Sequence, residues 1–128
     1  HHFPNEKTSL RKKMEAINEL IANHEQQIAN PLLEYINSRN EIMLIGKKKI
    51  EHRNRAPTFA FTFKNKSSKQ VSNELVANGI ATKNDNFYAW RCLKALGIDT
   101  NDGVVRTSMV HYNTHEDVEK LISALKKI

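Results

Sequence analysis

One stripe of apolar residues between positions 10 and 36 constrains the fold more than any other feature of this chain. Its members recur mostly at steps of three, four and seven residues, as they do along one side of an α-helix. They are Leu10, Met14, Ile17, Leu20, Ile21, Ile28, Leu32 and Ile36. Thr8 or Ser9 can cap the start of this helix. Pro31 lies inside the pattern, and because proline lacks a backbone N–H we expect a kink or a break near residues 29–30.

The remainder of the chain predicts short strands separated by helices. Residues 58–63 place Phe59, Phe61 and Phe63 on one side of a strand. The first predicted elements are a helix over 10–36 and strands over 41–46 and 58–63. A helix follows, from a capping box at Ser67 and Gln70 to Gly79. The last predicted elements are a strand over 80–82, a helix over 88–96, a strand over 104–110 and a helix after Thr114. This order predicts an α+β fold, in which a small mixed or antiparallel sheet of about four strands carries helices on one face and follows the long helix.

The domain organisation follows from this order. Residues 1–8, which open with His1 and His2, are interpreted as a tag remnant and leader. Residues 9–38 are predicted to form a long linking helix, kinked near Pro31, and residues 39–128 an α+β C-terminal domain. A long helix that leads into a compact unit is expected to belong to two domains at once.

Composition and charge exclude several classes of protein. Hydrophobic residues make up 39% of the 128 residues and charged residues 27%, which suits one folded core and not a disordered chain. No apolar run approaches the roughly 20 residues that span a bilayer, and no signal peptide is visible. Cys92 is the single cysteine, so an internal disulfide is excluded. We therefore expect a cytoplasmic protein without membrane contact.

Common catalytic and metal-binding patterns are missing from the sequence. The four glycines are not grouped, so there is no glycine-rich phosphate loop. Cys92 lies within a predicted helix, where a buried small residue is more usual than a nucleophile. His111 and His115 are separated by the start of the last predicted helix. We predict no metal site and no catalytic residue in this chain.

Residues 103–118 carry the most specific pattern in the chain. A strand with Arg106 runs into a His-Tyr-Asn-Thr turn and an acid-rich helix start. This pattern resembles the C-terminal signature of class V aminotransferases and cysteine desulfurases. Residues 55–62, where an arginine and a proline precede a strand, and residues 73–81, a helix-to-strand turn, resemble two further parts of that family. The resemblance covers roughly residues 20–128 in the family's order.

This resemblance implies the small domain of a fold-type I pyridoxal 5′-phosphate (PLP) enzyme that acts on an amino acid. Such enzymes are homodimers with active sites between a large and a small domain. The family's arginine on the last strand clamps the substrate α-carboxylate, and that role falls on Arg106. A planar guanidinium matches both carboxylate oxygens and stays charged. The alternative is that Arg106 lies on an edge strand and pairs with a surface acid.

The active-site loop departs from the family pattern. Cysteine desulfurases place a catalytic cysteine after the Gly-Ile-Ala strand, and here that position falls at or near Tyr88. The loop candidates are Asn84, Asn86 and Tyr88, and the Asn-Phe-Tyr-Ala run resembles a subgroup that lacks the persulfide cysteine. Persulfide transfer is therefore not expected, while C–S lyase, transamination and racemisation stay open. Tyr88 either functions in this loop or packs inside the domain.

A second departure concerns the cofactor. PLP chemistry requires a Schiff-base lysine, an acid facing the pyridine nitrogen and phosphate-binding groups. In the family these groups lie in the large domain, and no lysine of this chain lies in the family's lysine motif. We expect PLP in the full-length protein and none bound to this fragment, which is expected to be inactive alone.

Two other classes of protein are alternatives. A formal charge of +6 and a basic stretch over residues 47–55 favour a nucleic-acid-binding α+β module in which Phe59, Phe61 and Phe63 stack on bases. The ribonucleoprotein signature, with glycines between its aromatic residues, is missing, so nucleic acid is not the expected partner. The other alternative makes the long first helix a dimerising element.

Overall fold

The structure of the chain, a computed structural model, describes residues 9–50 and 55–128. The tag and leader interpretation of residues 1–8 and part of the basic stretch, residues 51–54, lie outside the described residues. Within the described ranges the elements are α1 (Leu10–Ser38), β1 (Ile42–Ile45), β2 (Thr58–Phe63), α2 (Ser68–Ala77), β3 (Lys83–Asp85), α3 (Trp90–Ala95), β4 (Val104–Ser108) and α4 (His115–Leu125). This is the predicted order of helices and strands, and the predicted α+β class is confirmed.

The strands form one antiparallel sheet in the order β1-β2-β4-β3. β4 lies inside this sheet, where Arg106 is paired in register with Ala60 of β2 on one side and with Lys83 of β3 on the other. Every pairing between the described strands is antiparallel. β4 is therefore a central strand, and its side chains alternate between the two faces of the sheet.

One face of the sheet and three helices enclose the core. The side chains of Phe59, Phe61 and Val105 are fully buried on this face, and they share one apolar cluster with residues of α1, α2 and α4. An aromatic side chain buries about 150–250 Å² on folding, so the two phenylalanines contribute much of the force that holds the sheet against the helices. The predicted placement of helices on one face is confirmed.

The long helix α1 is buried only over its C-terminal part. Ile28 and Ile36 are 0% and 1% exposed, whereas Leu10 is 74% exposed. The helix runs through Pro31 without interruption, so the chain does not break near residues 29–30, and the kink stays a prediction. None of the helices in the described ranges has an apolar stretch long enough to cross a membrane.

The strand predicted over residues 80–82 is displaced, since β3 is Lys83–Asp85. Gly79 has a φ of 76°, and the backbone N–H of Ile80 donates to the carbonyl of Leu75 at 3.0 Å. This is the bond that closes a helix in a Schellman motif. Because α2 uses that N–H, Ile80 cannot extend the ladder to β4, and pairing begins only further along the chain.

Two other elements are shorter than predicted. β4 does not reach residue 110, because the N–H of Val110 donates to Oδ1 of Asn113 at 2.9 Å in the turn before α4. α3 begins at Trp90, since Phe87 and Tyr88 have φ values of 49° and 61°. Those values lie in the left-handed region, which a right-handed helix excludes. β4 thus ends early because the turn before α4 uses a backbone N–H of the predicted strand. α3 begins late because the turn before it has left-handed dihedral angles.

Gly103 brings the start of β4 against the end of β3. Its φ is 69°, and a Cβ atom there would lie 2.3 Å from the backbone carbon and oxygen of Asp85. Glycine is therefore required for the left-handed backbone and for the contact between the two backbones. Gly97 has nearly the same φ, 72°, but a Cβ atom there would meet no heavy atom within 4 Å.

We predict that Gly103→Ala destabilises the fold more than the matched variant Gly97→Ala. Both variants place a Cβ in the left-handed region, at a cost of about 1–2 kcal/mol. Only at Gly103 must two backbone segments also separate, which we expect to lower the free energy of unfolding by about a further 1–3 kcal/mol. Urea denaturation followed by circular dichroism measures both losses. Equal losses would contradict a stabilising role for this backbone contact.

Candidate functional site

Arg106 lies in the middle of the sheet, on the face opposite the core. Its neighbours in β4, Val105 and Thr107, face the core and are 0% and 4% exposed. Alternation along the strand therefore turns the Arg106 side chain to the open face, and the residue is exposed. The alternative in which Arg106 lies on an edge strand is wrong, because β4 is paired on both sides.

Within the described residues, the guanidinium of Arg106 lies over an aromatic ring and pairs with no acid. Its Cζ lies 3.9 Å from the centroid of the Phe87 ring. Across residues 9–50 and 55–128, Arg106 makes no ion pair and its side chain makes no hydrogen bond. Lys83 and Asp85, on the neighbouring strand, are instead paired with each other at 3.5 Å. The N–H groups of Arg106 are thus available to a ligand.

A strained turn presents Phe87 to Arg106. Phe87 and Tyr88 have φ values of 49° and 61°, and the N–H of Ala89 donates to the carbonyl of Asn86 at 2.8 Å. Two successive left-handed residues inside such a bond are the features of a type I′ turn, which normally uses Gly, Asn or Asp there. For other residues the left-handed conformation costs about 1–2 kcal/mol each. The surrounding structure must therefore hold this turn in place.

Side-chain hydrogen bonds hold the turn. The N–H of Asn86 donates to Oδ1 of Asp85 at 2.7 Å, and the N–H of Tyr88 donates to Oδ1 of Asn86 at 3.0 Å. Nδ2 of Asn86 also donates to the carbonyl of Thr100 at 3.4 Å. The side chain of Asn86 therefore forms one hydrogen bond within the turn, with Tyr88, and one with the segment that leads into β4, at Thr100.

The three predicted loop residues have different environments. Asn84 is half-buried, and its Nδ2 donates to the carbonyl of Asp102 at 3.3 Å. Asn86 organises the turn through the bonds just described. The side chain of Tyr88 is fully exposed, with a relative accessibility of 104%, so it does not pack inside the domain. Of the three, Tyr88 alone projects fully into solvent.

Phe87 has no role predicted from the sequence, although the structure brings it against Arg106. No local pattern signals this contact, because it depends on the positive φ of Phe87 and on the pairing of β3 with β4. The only indirect signal is the position of Phe87 next to Tyr88 in the loop.

Two of the three phenylalanines proposed to stack on bases are buried, and part of the basic stretch lies outside the described residues. Phe59 and Phe61 are 0% exposed, so neither ring presents an open face to a base, and Phe63 is partly buried against the same core. Arg55 lies over the Phe59 ring at 4.7 Å and donates to the carbonyl of Lys47 at 2.6 Å. Burial lowers the pKa of Arg55. The predicted stacking of bases on Phe59 and Phe61 is therefore wrong.

The cysteine and the histidines do not form a reactive cluster in the described part of the chain. Cys92 is exposed, contrary to the prediction, because α3 is a short helix that buries only Leu93. His111 packs edge-on against Tyr112 with ring centroids 5.3 Å apart, and His115 opens α4. Among the described residues, no three side chains of His, Cys, Asp or Glu converge on a possible metal position.

Comparison with known proteins identifies related sequences. The sequence model of the family described as aminotransferase class-V matches residues 9–121. The aminotransferase-like protein FGM3 of Gibberella zeae is 36% identical over 109 residues, which cover 84% of this chain and 27% of that protein. The cysteine desulfurase of Shigella flexneri is 28% identical over 108 residues, which cover 84% of this chain and 25% of that protein.

Solved structures share the fold. The cysteine desulfurase CsdA from Escherichia coli matches with a TM-score of 0.69 and 22% identity, over 83% of this chain and 24% of that one. The apo cysteine desulfurase from Thermococcus onnurineus NA1 matches with a TM-score of 0.72 and 22% identity, over 84% of this chain and 25% of that one. The chain thus spans about a quarter of the length of these proteins. With a family match over residues 9–121 and 36% identity to FGM3, this chain belongs to the class-V aminotransferase family.

Proposed function

We propose that this chain is the small-domain part of a longer PLP-dependent class-V enzyme that acts on an amino acid, and that Arg106 binds the α-carboxylate of the substrate. The observation that carries the proposal is the guanidinium of Arg106. It is exposed on the open sheet face and has no acidic partner among the described residues. The resemblance of residues 103–118 to the family's C-terminal signature supports this role, because it implies that Arg106 is the carboxylate-binding arginine.

A bidentate contact explains why an arginine suits this position. The guanidinium offers two parallel N–H groups to the two carboxylate oxygens, and such charge-assisted bonds are about twice as strong as neutral ones. β4 is paired on both edges, so the Cα of Arg106 is held in a rigid frame. The role of Arg106 is to orient the amino acid relative to the reacting centre and not to break a bond itself.

The residue at the desulfurase cysteine position favours a reaction other than persulfide transfer. Tyr88 carries a phenol, which cannot form a persulfide. Cys92 lies further along the chain in α3, and its side chain makes no hydrogen bond with Arg106 or Tyr88 within the described residues. The proposal therefore covers C–S lyase, transamination and racemisation as reaction types.

The described residues do not by themselves fit a PLP site. PLP itself supplies an electron sink for the substrate's bonds when a lysine holds it, and burial makes a lysine reactive by disfavouring its charge. Every described lysine is exposed or half-exposed. Lys120, for example, bonds to Glu116 at 3.0 Å, and this hydrogen bond raises the pKa of Lys120. We infer that the cofactor-binding groups lie in the remainder of the longer protein.

The exposed part of α1 supports contact with that remainder. Four apolar side chains form a stripe there, namely Leu10 (74% exposed), Met14 (56%), Ile17 (43%) and Leu20 (49%). Burying apolar surface is favourable by about 25 cal/mol per Å². We propose that this stripe packs against the large domain, within the homodimer that is usual for the family. A cytoplasmic location stays a prediction.

Replacing Arg106 tests the proposed carboxylate contact. In the PLP-loaded full-length protein, we expect Arg106→Gln to lower the affinity for L-alanine about 10- to 100-fold, because a charge-assisted bidentate contact is lost. Affinity for ethylamine, which lacks the carboxylate, should not change. Both affinities are measured from the visible absorbance of the cofactor.

Arg91→Gln is the matched control, because Arg91 is an exposed arginine in α3. It should keep the preference for L-alanine over ethylamine. An Arg106→Gln protein that folds, binds PLP and keeps the same preference would contradict the proposed role of Arg106.

Titrating the isolated 128-residue chain with PLP tests the assignment of the cofactor site to the remainder of the protein. We expect only slow modification shared among several exposed lysines, since none of the described lysines is buried. Visible absorbance and mass spectrometry follow the reaction. A stoichiometric visible band that a single lysine substitution abolishes would overturn this expectation.

A further inference from the structure

We infer that Phe87 is a positioning residue for Arg106, whose ring holds the guanidinium in an orientation that receives a carboxylate. This inference rests on the proposed function of Arg106 and names the residue that prepares Arg106 for it. The contact itself is a cation–π contact, with 3.9 Å between Cζ of Arg106 and the centroid of the Phe87 ring.

An aromatic ring holds an arginine without using its hydrogen-bond donors. The donors of a guanidinium lie in its own plane, while a ring stacked on it covers one flat face. An acid in the same place would occupy the donors and neutralise the charge that a substrate carboxylate needs. Phe87 therefore leaves Arg106 both charged and open along its edge.

A second stacked arginine in this chain shows the contrast. Arg55 lies 4.7 Å from the centroid of the Phe59 ring, but its Nη1 donates to the carbonyl of Lys47 at 2.6 Å and its Nη2 to the carbonyl of Thr58 at 3.2 Å. Those bonds make Arg55 part of the fold. Arg106 has the stack without such bonds within the described residues, which is the arrangement expected of an arginine reserved for a ligand.

The turn that carries Phe87 is strained, and its strain is maintained by specific contacts. Phe87 has a φ of 49° where a glycine would relieve the strain. The bond from Tyr88 N–H to Asn86 Oδ1 and the close approach of Gly103 to Asp85 hold the turn beside β4. A conformation that costs free energy and presents one ring to one arginine points to a role in the site and not in the core.

The physical effect of the stack is preorganisation. A free arginine side chain samples many rotamers, and binding a carboxylate then requires ordering them. With the ring in place, part of that ordering occurs before the substrate arrives. Removing the ring should weaken carboxylate binding and leave the fold intact, because Phe87 is only half-buried and lies outside the core cluster.

Three variants test this inference. Phe87→Leu removes the π face and keeps an apolar side chain, Phe87→Tyr keeps the π face, and Tyr88→Leu is the matched control at the adjacent left-handed position. In the 128-residue chain with ¹⁵N-labelled arginine, NMR should show ring-current shifts of the Arg106 side-chain protons in the original chain, in Phe87→Tyr and in Tyr88→Leu. Those shifts should be lost in Phe87→Leu.

The functional readout uses the full-length PLP-loaded protein, with L-alanine and ethylamine as probes. Phe87→Leu should lower the affinity for L-alanine about two- to fivefold, the range of a cation–π contact. The affinity for ethylamine should stay unchanged, and Phe87→Tyr should restore the L-alanine affinity. A merely structural role of Phe87 would instead change the affinities for both probes together.

The outcomes separate this inference from the proposed function. If Arg106→Gln loses the preference for L-alanine but Phe87→Leu keeps it in full, the positioning role of Phe87 is overturned and the role of Arg106 stands. Absence of ring-current shifts in the original chain also overturns it. If Arg106→Gln keeps the preference, the proposed function fails and the positioning role fails with it.

Discussion

Backbone hydrogen bonds hold β4 along both of its edges, with Val105 opposite Phe61 of β2 and opposite Asn84 of β3. Val105 and Thr107 are buried beneath the helices, so the strand cannot rotate or slip without exposing them. A slip of one residue would exchange the two faces and bring the charge of Arg106 into the core. The outward direction of Arg106 is thus a consequence of core packing on the other side of the same strand.

The charged side chains on the open face of the sheet have different partners. Lys83 and Asp85 on β3 form an ion pair with each other, whereas Arg106 contacts the Phe87 ring. The loop that supplies this ring uses Asn86 as its central hydrogen-bonding residue. Asn86, which the sequence indicates as an active-site loop candidate, therefore supports this turn, and Phe87 beside it contacts Arg106.

Local sequence patterns predicted most of the fold because the signals act over a few residues. The capping box of Ser67 and Gln70 forms as predicted, and the helix after Thr114 is capped in the same way with Asp117. The predicted position of β3 was wrong because the cap of α2 uses the N–H of Ile80. The helix cap and the strand compete for this group, and the apolar pattern alone does not show which of them forms. The prediction that Cys92 is buried was wrong, because the side of α3 that is buried depends on which elements pack against this helix.

Patterns within the sequence predict the order of helices and strands. They also contain the alternation of Phe59, Phe61 and Phe63 and the family signature that includes Arg106. Alternation does not say which side of a strand faces the core. The packing of α1, α2 and α4 against the sheet buries Phe59 and Phe61, so these two rings cannot stack on bases. The contact between Phe87 and Arg106 was likewise decided by the tertiary structure. This contact between residues distant in the chain depends on two conditions, the register of β3 with β4 and the left-handed turn at Phe87. Neither condition produces a periodic pattern in the sequence.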